Sequence, residues 1–415
     1  MDKSANWIGI GDVTVGVGQM KCLAILGVNL DKMEGRENLT LSHGDVEVLE
    51  LGLTKSATGE HAFQTFEKAS ERVGGFKGIV IDQGSDVTKG CKQYSTEHPE
   101  TVVIHDIKHK MALCLKATLE KDPKWEVFQK CKSTTYTRVQ QTELKTLTPP
   151  KQRLKGRYMD ISDEVIEWPE LLKRYRCEGN REIISEERYY QYFDWVEEFM
   201  PDLEKWAFMV NTAKMITSVT REHGLSVEVY NHLLDFFVEA PVDIEEEELC
   251  AFIVKALSSL FDEVEKISLG ETSFCSTEVL ESVFGKHKEI NKVTQGVTAN
   301  VLGISTFVGN STSMNEIKEA LEACSVKETC KWIREKVGDT VASMRKRLFS
   351  KKKTPEQAIH SKSAKTIASN LGNNDGASSS LESLKQSSST AKVLDIYSEI
   401  KRTEFDKNLK AQFIA

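Results

Sequence analysis

Three acidic residues, far apart in the chain, have the types and settings that metal-dependent phosphate chemistry needs. Asp12 ends an apolar run in WIGIGDV, and Asp82 ends another in IVIDQGSD. Glu281 lies in STEVLESVFGKHKEI, whose apolar spacing predicts a helix. Side chains at the ends of neighbouring strands point into one crevice, where a covering helix can add a third. We therefore take these acids as the candidate catalytic and metal-binding set.

Such a set would support the cleavage of phosphodiester bonds. That reaction builds negative charge on the attacking and leaving oxygens, and two divalent ions about 3.5–4 Å apart stabilise both. Two Mg²⁺ or Mn²⁺ ions are the expected cofactors, because such hard cations prefer oxygen ligands. Without cations, carboxylates about 4 Å apart would repel by roughly 4 kcal/mol per pair at an effective dielectric near 20. The set is therefore expected to need metal.

Plainer interpretations of the two strand-end acids also fit the sequence. Asp82 lies two residues before Gly84, which allows a tight turn, and Ser85 or Asp86 is predicted to cap the next helix. Asp82 could then be a turn residue that accepts a local hydrogen bond. Asp12 precedes a Thr-Val-Gly-Val-Gly segment, which is also typical of a turn.

The third acid has a rival, and other polar residues follow the second. Glu120 comes a short distance after Asp82, at the end of a predicted helix where contact with solvent is expected. Asp106 is either a fourth acid beside the metals or a structural residue. His105 and His109 are candidate hydrogen-bond donors to a metal ligand, or they are structural.

Basic residues near the predicted third-acid helix are candidate contacts for a nucleic-acid backbone. Lys288 follows Glu281 by two helical turns and therefore points the same way, although the pair also fits an ordinary surface. Lys286 lies on the same helix. The run RKRLFSKKK could lie on DNA or form a solvated helix end. It supplies three further candidates: Arg345, Lys346 and Arg347.

The elements that must position these residues predict an α/β fold. Three β-rich runs are followed by helix, strand, helix, strand and helix, which indicates a mixed sheet flanked by helices. The next stretch is helical throughout, and one apolar seam from Tyr192 to Ala213 contains Pro201, which should kink or split it. The predicted organisation is a core begun by 1–106, a helical insertion over 107–270, core completion over 271–349, and a basic, Ser-rich tail over 350–415 that is largely disordered.

Composition sets limits on the class of protein. The 415 residues carry a net charge of -8, which argues against a protein that coats DNA through a large basic excess. The nine cysteines form no CxxC pair, so neither a zinc site nor a disulfide framework is expected. No apolar stretch is long enough to cross a membrane, and the expected location is the cytoplasm.

Four segments together resemble the DDE transposases of bacterial insertion sequences. They are WIGIGDVTVGVGQMKCLAILGVNL, IVIDQGSDVTKG, HDIKHKMALCLK and TEVLESVFGKHK, in that order, and the resemblance covers about residues 7–349. DQGSD resembles the segment with the family's second acid, and Glu281 with Lys288 matches the Glu-(six residues)-Lys part of its signature. Where the signature has an arginine four residues before the glutamate, this chain has Thr277, which implies a weaker grip on phosphate by that helix.

The resemblance implies a ribonuclease-H-like core interrupted by an all-α insertion. It also implies metal-dependent hydrolysis and strand transfer at transposon ends, with double-stranded DNA as partner, a homodimer in the active complex, and association with a bacterial nucleoid. Two alternatives stay open. The chain could be a truncated or domesticated derivative that binds DNA or a partner without catalysis, because no DNA-binding module precedes the first strand. DQGS also resembles the phosphate turn of actin-like sugar kinases, where a hairpin follows the motif.

Overall fold

The computed structural model describes residues 2–14, 20–151, 158–178, 185–239, 247–291, 299–309, 314–338 and 341–349. A sheet of five strands lies at its centre, in the spatial order β3-β2-β1-β4-β5. The strands are β1 (Trp7–Thr14), β2 (Lys21–Asn29), β3 (Val46–Thr54), β4 (Gly78–Ile81) and β5 (Val102–His105). β1, β2 and β3 pair antiparallel, whereas β1 with β4 and β4 with β5 pair parallel. The predicted ribonuclease-H-like α/β class is confirmed.

Helices flank the sheet and continue well beyond it. In chain order they are α1 (Gly59–Val73), α2 (Ser85–Glu97), α3 (Ile107–Leu119), α4 (Pro123–Val139), α5 (Trp168–Glu178), α6 (Glu186–Phe193), α7 (Trp195–Glu198), α8 (Met200–His223), α9 (Val227–Glu239), α10 (Glu247–Val264), α11 (Glu278–Asn291), α12 (Met314–Ala323), α13 (Val326–Trp332) and α14 (Val341–Phe349). None of the described helices is both long and apolar enough to cross a membrane.

The central strands are apolar on both faces because both faces are covered. Alternate residues of a strand point to opposite sides of the sheet. Leu23 and Ile25 of β2 therefore pack with α1 and α2, while Ala24 and Leu26 pack with α11 and the 3-10 segment Ala299–Phe307. This double burial explains why the strands appear in the sequence as nearly continuous apolar runs.

The chain from α3 to α10 builds a separate apolar core around aromatic side chains. Trp125, Phe128 and Trp206 lie within 6 Å of one another by ring centroid, and Ile104 of β5 joins the same core. The predicted apolar seam is split, as expected, into α6, α7 and α8. Pro201 lies in the first turn of α8, where its missing N–H costs no hydrogen bond.

Some predictions concern positions outside the described residues. The glycine-rich turn after Asp12 and the tail from 350 onward fall there. The domain boundaries at 106, 270 and 349 stay predictions. They coincide with the ends of β5, of the helical core and of α14 only to within a few residues.

Candidate active site

The strand register places Asp12 beside Asp82. The parallel pairing of β1 with β4 matches Gly11 with Ile81; Asp12 is the next residue of β1, and Asp82 directly follows the end of β4. The side chains two residues before each acid belong to the apolar core beneath α11, so both acids emerge on that face of the sheet. Neighbouring strands lie about 4.8 Å apart, so the two carboxylates are neighbours.

The turn after Asp82 is held by its own carboxylate. Asp82 Oδ1 accepts a hydrogen bond from the Gly84 N–H at 3.0 Å. A Cβ at Gly84 would lie 3.0 Å from that oxygen, which explains the glycine. The prediction that Ser85 or Asp86 caps the next helix is wrong, because α2 already begins at Ser85 with Gly84 as its N-cap. A helix, and not the hairpin of the sugar-kinase alternative, follows the DQGS motif.

Asp12 is the most electrostatically strained carboxyl of the group. Its Oδ1 accepts a hydrogen bond from the Val13 N–H at 2.6 Å. Burial, followed by repulsion from Asp82, raises the pKa of Asp12 to about 7. Glu281 adds to that rise, whereas His109 opposes it. Asp12 therefore lies within electrostatic range of both other candidate acids.

Glu281 reaches the site from the helix that covers this face of the sheet. Leu280, Val283 and Phe284 of α11 pack into the apolar core against the strands. The adjacent Glu281 stays about a third exposed, with Oε1 at 3.7 Å from His109 Nε2 and Oε2 at 3.5 Å from Lys108 Nζ. The structure therefore brings the three predicted acids to one region, with a histidine and a lysine among them.

Asp106 joins the helix that carries His109 to the helix that carries Glu281. It is fully buried and caps α3, where Oδ1 accepts from the His109 N–H at 2.8 Å and contacts Nδ1 of its ring at 3.0 Å. Oδ2 accepts from the N–H and the hydroxyl of Thr277, at 2.6 and 3.0 Å, immediately before α11. Both oxygens are engaged by Thr277 and His109, so Asp106 positions the two helices and is not available as a fourth acid of the group.

His109 lies between Asp106 and the three acids. Burial by itself would lower the pKa of its ring, but the hydrogen bond with Asp106 and the surrounding carboxylates raise it above the usual value. A protonated ring presents N–H groups to Asp106 and toward Glu281 at once. That His109 donates to one of the three acids stays a prediction, because its Nε2 lies 3.7 Å from Glu281 Oε1.

The other polar candidates lie away from the three acids. Glu120 stands at the opposite end of α3, about 20 Å along a helix of that length, and accepts a hydrogen bond from the Tyr158 hydroxyl at 3.2 Å. His105 contacts Glu263 through both its N–H, at 2.8 Å, and its ring, at 3.2 Å. The structure therefore separates the rival third acid from Asp12 and Asp82.

The carboxylate oxygens of Asp12, Asp82 and Glu281 suit a magnesium site chemically, although their present positions do not enclose an ion. Among the residues that the structure describes, no three His, Cys, Asp or Glu side chains converge closely enough to enclose a metal ion as they stand. Asp12 and Asp82 lie side by side, while Glu281 is engaged by Lys108 and His109. Oxygen donors of this type suit Mg²⁺ or Mn²⁺, and the raised pKa of Asp12 marks a place where a cation would relieve repulsion.

The basic residues singled out in the sequence are exposed. Lys288 is exposed on α11, and Lys286 donates toward His43 Nδ1 at 3.0 Å. His43 Nε2 also lies 3.0 Å from the Ser282 hydroxyl, so His43 contacts two residues on one side of α11. The three basic residues of α14, namely Arg345, Lys346 and Arg347, are exposed as well.

Sequence reasoning missed three charged residues beside the acids. Lys108 contacts Glu278 and Glu281, and Arg221 of α8 contacts Glu278 from the opposite side. Lys108 could have been noticed from its place one residue before His109. Nothing in the local sequence marks Arg221 or Glu278, because their meeting depends on the packing of α8 against α3.

Comparisons with known proteins add little. No family model matches this chain, and no curated protein matches it. Among solved structures it is similar to a chain of the Drosophila P element transposase strand transfer complex, with a TM-score of 0.37 and 11% identity. The match covers 74% of this chain and 78% of that one. At this level the likeness assigns neither an activity nor a residue, so those must come from the site itself.

Proposed function

We propose that this chain is a DDE-type DNA transposase, which cleaves and rejoins phosphodiester bonds at a site formed by Asp12, Asp82 and Glu281. One observation carries the proposal. Two carboxylates lie side by side on one face of a mixed sheet, and the helix packed on that face brings a third within electrostatic range. A pair of adjacent carboxylates costs free energy unless a cation sits with it. That cost supports a metal-binding role over a structural one.

The residues of the site would have different roles. Asp12, Asp82 and Glu281 would hold two Mg²⁺ or Mn²⁺ ions, which when bound would lower the barrier by stabilising charge on the attacking and leaving oxygens. Asp106, through Thr277 and His109, fixes α3 and α11 relative to each other. His109 faces Glu281 and would orient its carboxylate.

Finer features belong to the same proposal. The substrate would be double-stranded DNA at transposon ends and at the target, attacked first by water and then by a 3′-hydroxyl. The active complex would be a homodimer, and the chain would be related to the transposases of bacterial insertion sequences. A derivative that binds DNA without cutting it is the alternative outcome of the test below.

The test is metal-dependent cleavage and strand transfer on labelled DNA carrying the ends of the element. We expect Mg²⁺ or Mn²⁺ to be required, and Asp82→Asn or Glu281→Gln to lower the rate at least a thousandfold, because each removes a ligand of the charge-stabilising ions. Glu120→Gln is the matched control and should keep the wild-type rate. Equal rates for Glu281→Gln and wild type would overturn the assignment of the third acid. No cleavage by the wild type would favour the non-catalytic derivative.

A further inference from the structure

Two basic side chains from different helices meet one carboxylate beside the candidate site. Lys108 Nζ of α3 lies 2.8 Å from Glu278 Oε1, and Arg221 Nη1 of α8 lies 2.9 Å from Glu278 Oε2. Each oxygen of Glu278 therefore holds one cation. Glu278 lies on α11, nearly one turn before Glu281, and Lys108 Nζ is also 3.5 Å from Glu281 Oε2.

The ion pairs around Glu278 are partly exposed to solvent, and among the described residues one nitrogen of Arg221 has no hydrogen-bond partner. The side chains of Lys108, Arg221 and Glu278 are 26%, 34% and 29% exposed, so a ligand can reach them without unfolding the site. Arg221 Nε is buried with no hydrogen-bond acceptor among the described residues. Partly exposed ion pairs contribute little to stability, so the pairing is easily exchanged for another anion.

A phosphate would satisfy the same two cations. Arginine and lysine both bind phosphate oxygens through charge-assisted hydrogen bonds, and a carboxylate held between them occupies the position that such an anion would take. A nucleic-acid backbone that approaches three carboxylates needs positive charge at the edge of the site. Thr277 stands where the transposase signature has an arginine, and its polar groups are committed to Asp106.

We propose that Lys108 and Arg221 bind a DNA backbone phosphate at the edge of the site, and that Glu278 occupies their phosphate position in the DNA-free protein. This inference rests on the proposed function. Lys108 and Arg221 supply, from α3 and α8, positive charge beside position 277, where this chain has threonine. Glu278 swings away when DNA arrives and therefore competes with the backbone.

Binding can be measured without chemistry, by fluorescence anisotropy of a labelled DNA duplex of arbitrary sequence in EDTA over a series of salt concentrations. Each lost phosphate contact should reduce the slope of log K against log salt by about 0.9. We expect that reduction for Lys108→Gln and for Arg221→Gln. The controls Lys116→Gln on α3 and Lys214→Gln on α8 should keep the wild-type slope.

A variant of Glu278 should change the affinity for DNA in the opposite direction. Glu278→Gln should tighten DNA binding several-fold, because the neutral amide no longer competes for the two cations. Glu289→Gln, an exposed change on the same helix, removes the same charge and should tighten binding far less. Lys108→Arg keeps the charge and should restore the wild-type slope. Melting curves of each variant confirm that it is folded.

The outcomes separate this inference from the proposed function. Unchanged slopes for Lys108→Gln and Arg221→Gln, in a protein whose wild type binds DNA, would overturn the inference and leave the proposed function standing. The expected slopes together with no metal-dependent cleavage would support the phosphate contact and remove the catalytic proposal. If the wild type does not bind the duplex, both fail.

Discussion

Asp12 is where the electrostatic cost of the site is concentrated. Its Oδ1 accepts a hydrogen bond from the Val13 N–H, and its strand neighbour is Asp82. Burial and that neighbour raise its pKa from 3.8 to about 7. A bound cation would favour the ionised form of Asp12 and would displace its proton.

The pKa of Asp12 predicts how the stability of the metal-free protein depends on pH. Because the folded protein binds this proton more tightly than the unfolded chain, the contribution of Asp12 is fully present below about pH 3.8 and is lost as the pH rises through about 7. Asp12→Asn removes the dependence. In EDTA the melting temperature of the variant should equal that of the wild type near pH 4 and exceed it at pH 8.

Two further measurements isolate the role of Asp12. Asp235→Asn, an exposed change on α9, should give a melting curve parallel to the wild type at every pH. Mg²⁺ at pH 8 should raise the melting temperature of the wild type and not that of Asp12→Asn. A constant difference between Asp12→Asn and wild type from pH 4 to pH 8 would show that the carboxyl titrates normally.

At the scale of elements, one buried carboxylate fixes two helices. Asp106 caps α3 and binds Thr277 at the start of α11, so the helix with His109 and the helix with Glu281 share one anchor. Burial by itself would raise the pKa of Asp106, but the hydrogen bonds from His109 and Thr277 lower it below the usual value. The carboxylate is therefore ionised and fully bonded in the folded protein.

Asp106→Asn should destabilise the protein by about 3 kcal/mol, since an amide cannot accept on both sides and the buried donors lose a charged partner. Thr277→Val removes only the hydroxyl bond and should cost about 1 kcal/mol. Urea unfolding measures both. If both variants unfold at the wild-type midpoint, Asp106 does not join the two helices.

Much of the element pattern could be predicted from sequence because it is local. Apolar runs with β-branched residues gave the five strands, and Pro201 indicated the split before α8. Helix starts depend on side-chain contacts that the pattern does not show: Asp82 accepts the Gly84 N–H just before α2, and Asp106 caps α3. The order of the acids along the chain suggested a common pocket. The register that sets Asp12 beside Asp82 was visible only in the folded sheet.

At the scale of the whole molecule, Glu263 of α10 joins the helical region to the edge of the sheet. Its side chain is 2% exposed, with His105 N at 2.8 Å, Lys110 Nζ at 2.6 Å and Lys266 Nζ at 2.6 Å. Burial would raise the pKa of Glu263, but these three partners together lower it to about 2. Lys266 lies three residues after Glu263, but His105 lies 158 residues away in the sequence, so no local pattern could have predicted the contact with the sheet.

The low pKa of Glu263 predicts that the stability of the folded protein decreases in acid. Because its folded pKa is depressed, its contribution is present above the ordinary value near 4.5 and is lost as the pH falls toward about 2. Glu263→Gln should lower stability at pH 7 by about 3 kcal/mol, because it takes the closest carboxylate from the buried Lys110, and should flatten the acid transition between those values. Glu126→Gln, an exposed residue of α4 paired with Lys130, is the matched control and should change little. A wild-type acid transition in Glu263→Gln would contradict this role.

The central claim is that Asp12, Asp82 and Glu281 together hold divalent cations, and a count of bound Mn²⁺ by electron paramagnetic resonance tests it most directly. We expect two bound ions per wild-type chain. Asp82→Asn and Asp12→Asn should each lose binding, whereas Asp235→Asn keeps it. The same occupancy in Asp82→Asn as in the wild type, or no tightly bound Mn²⁺ in the wild type, would contradict the account.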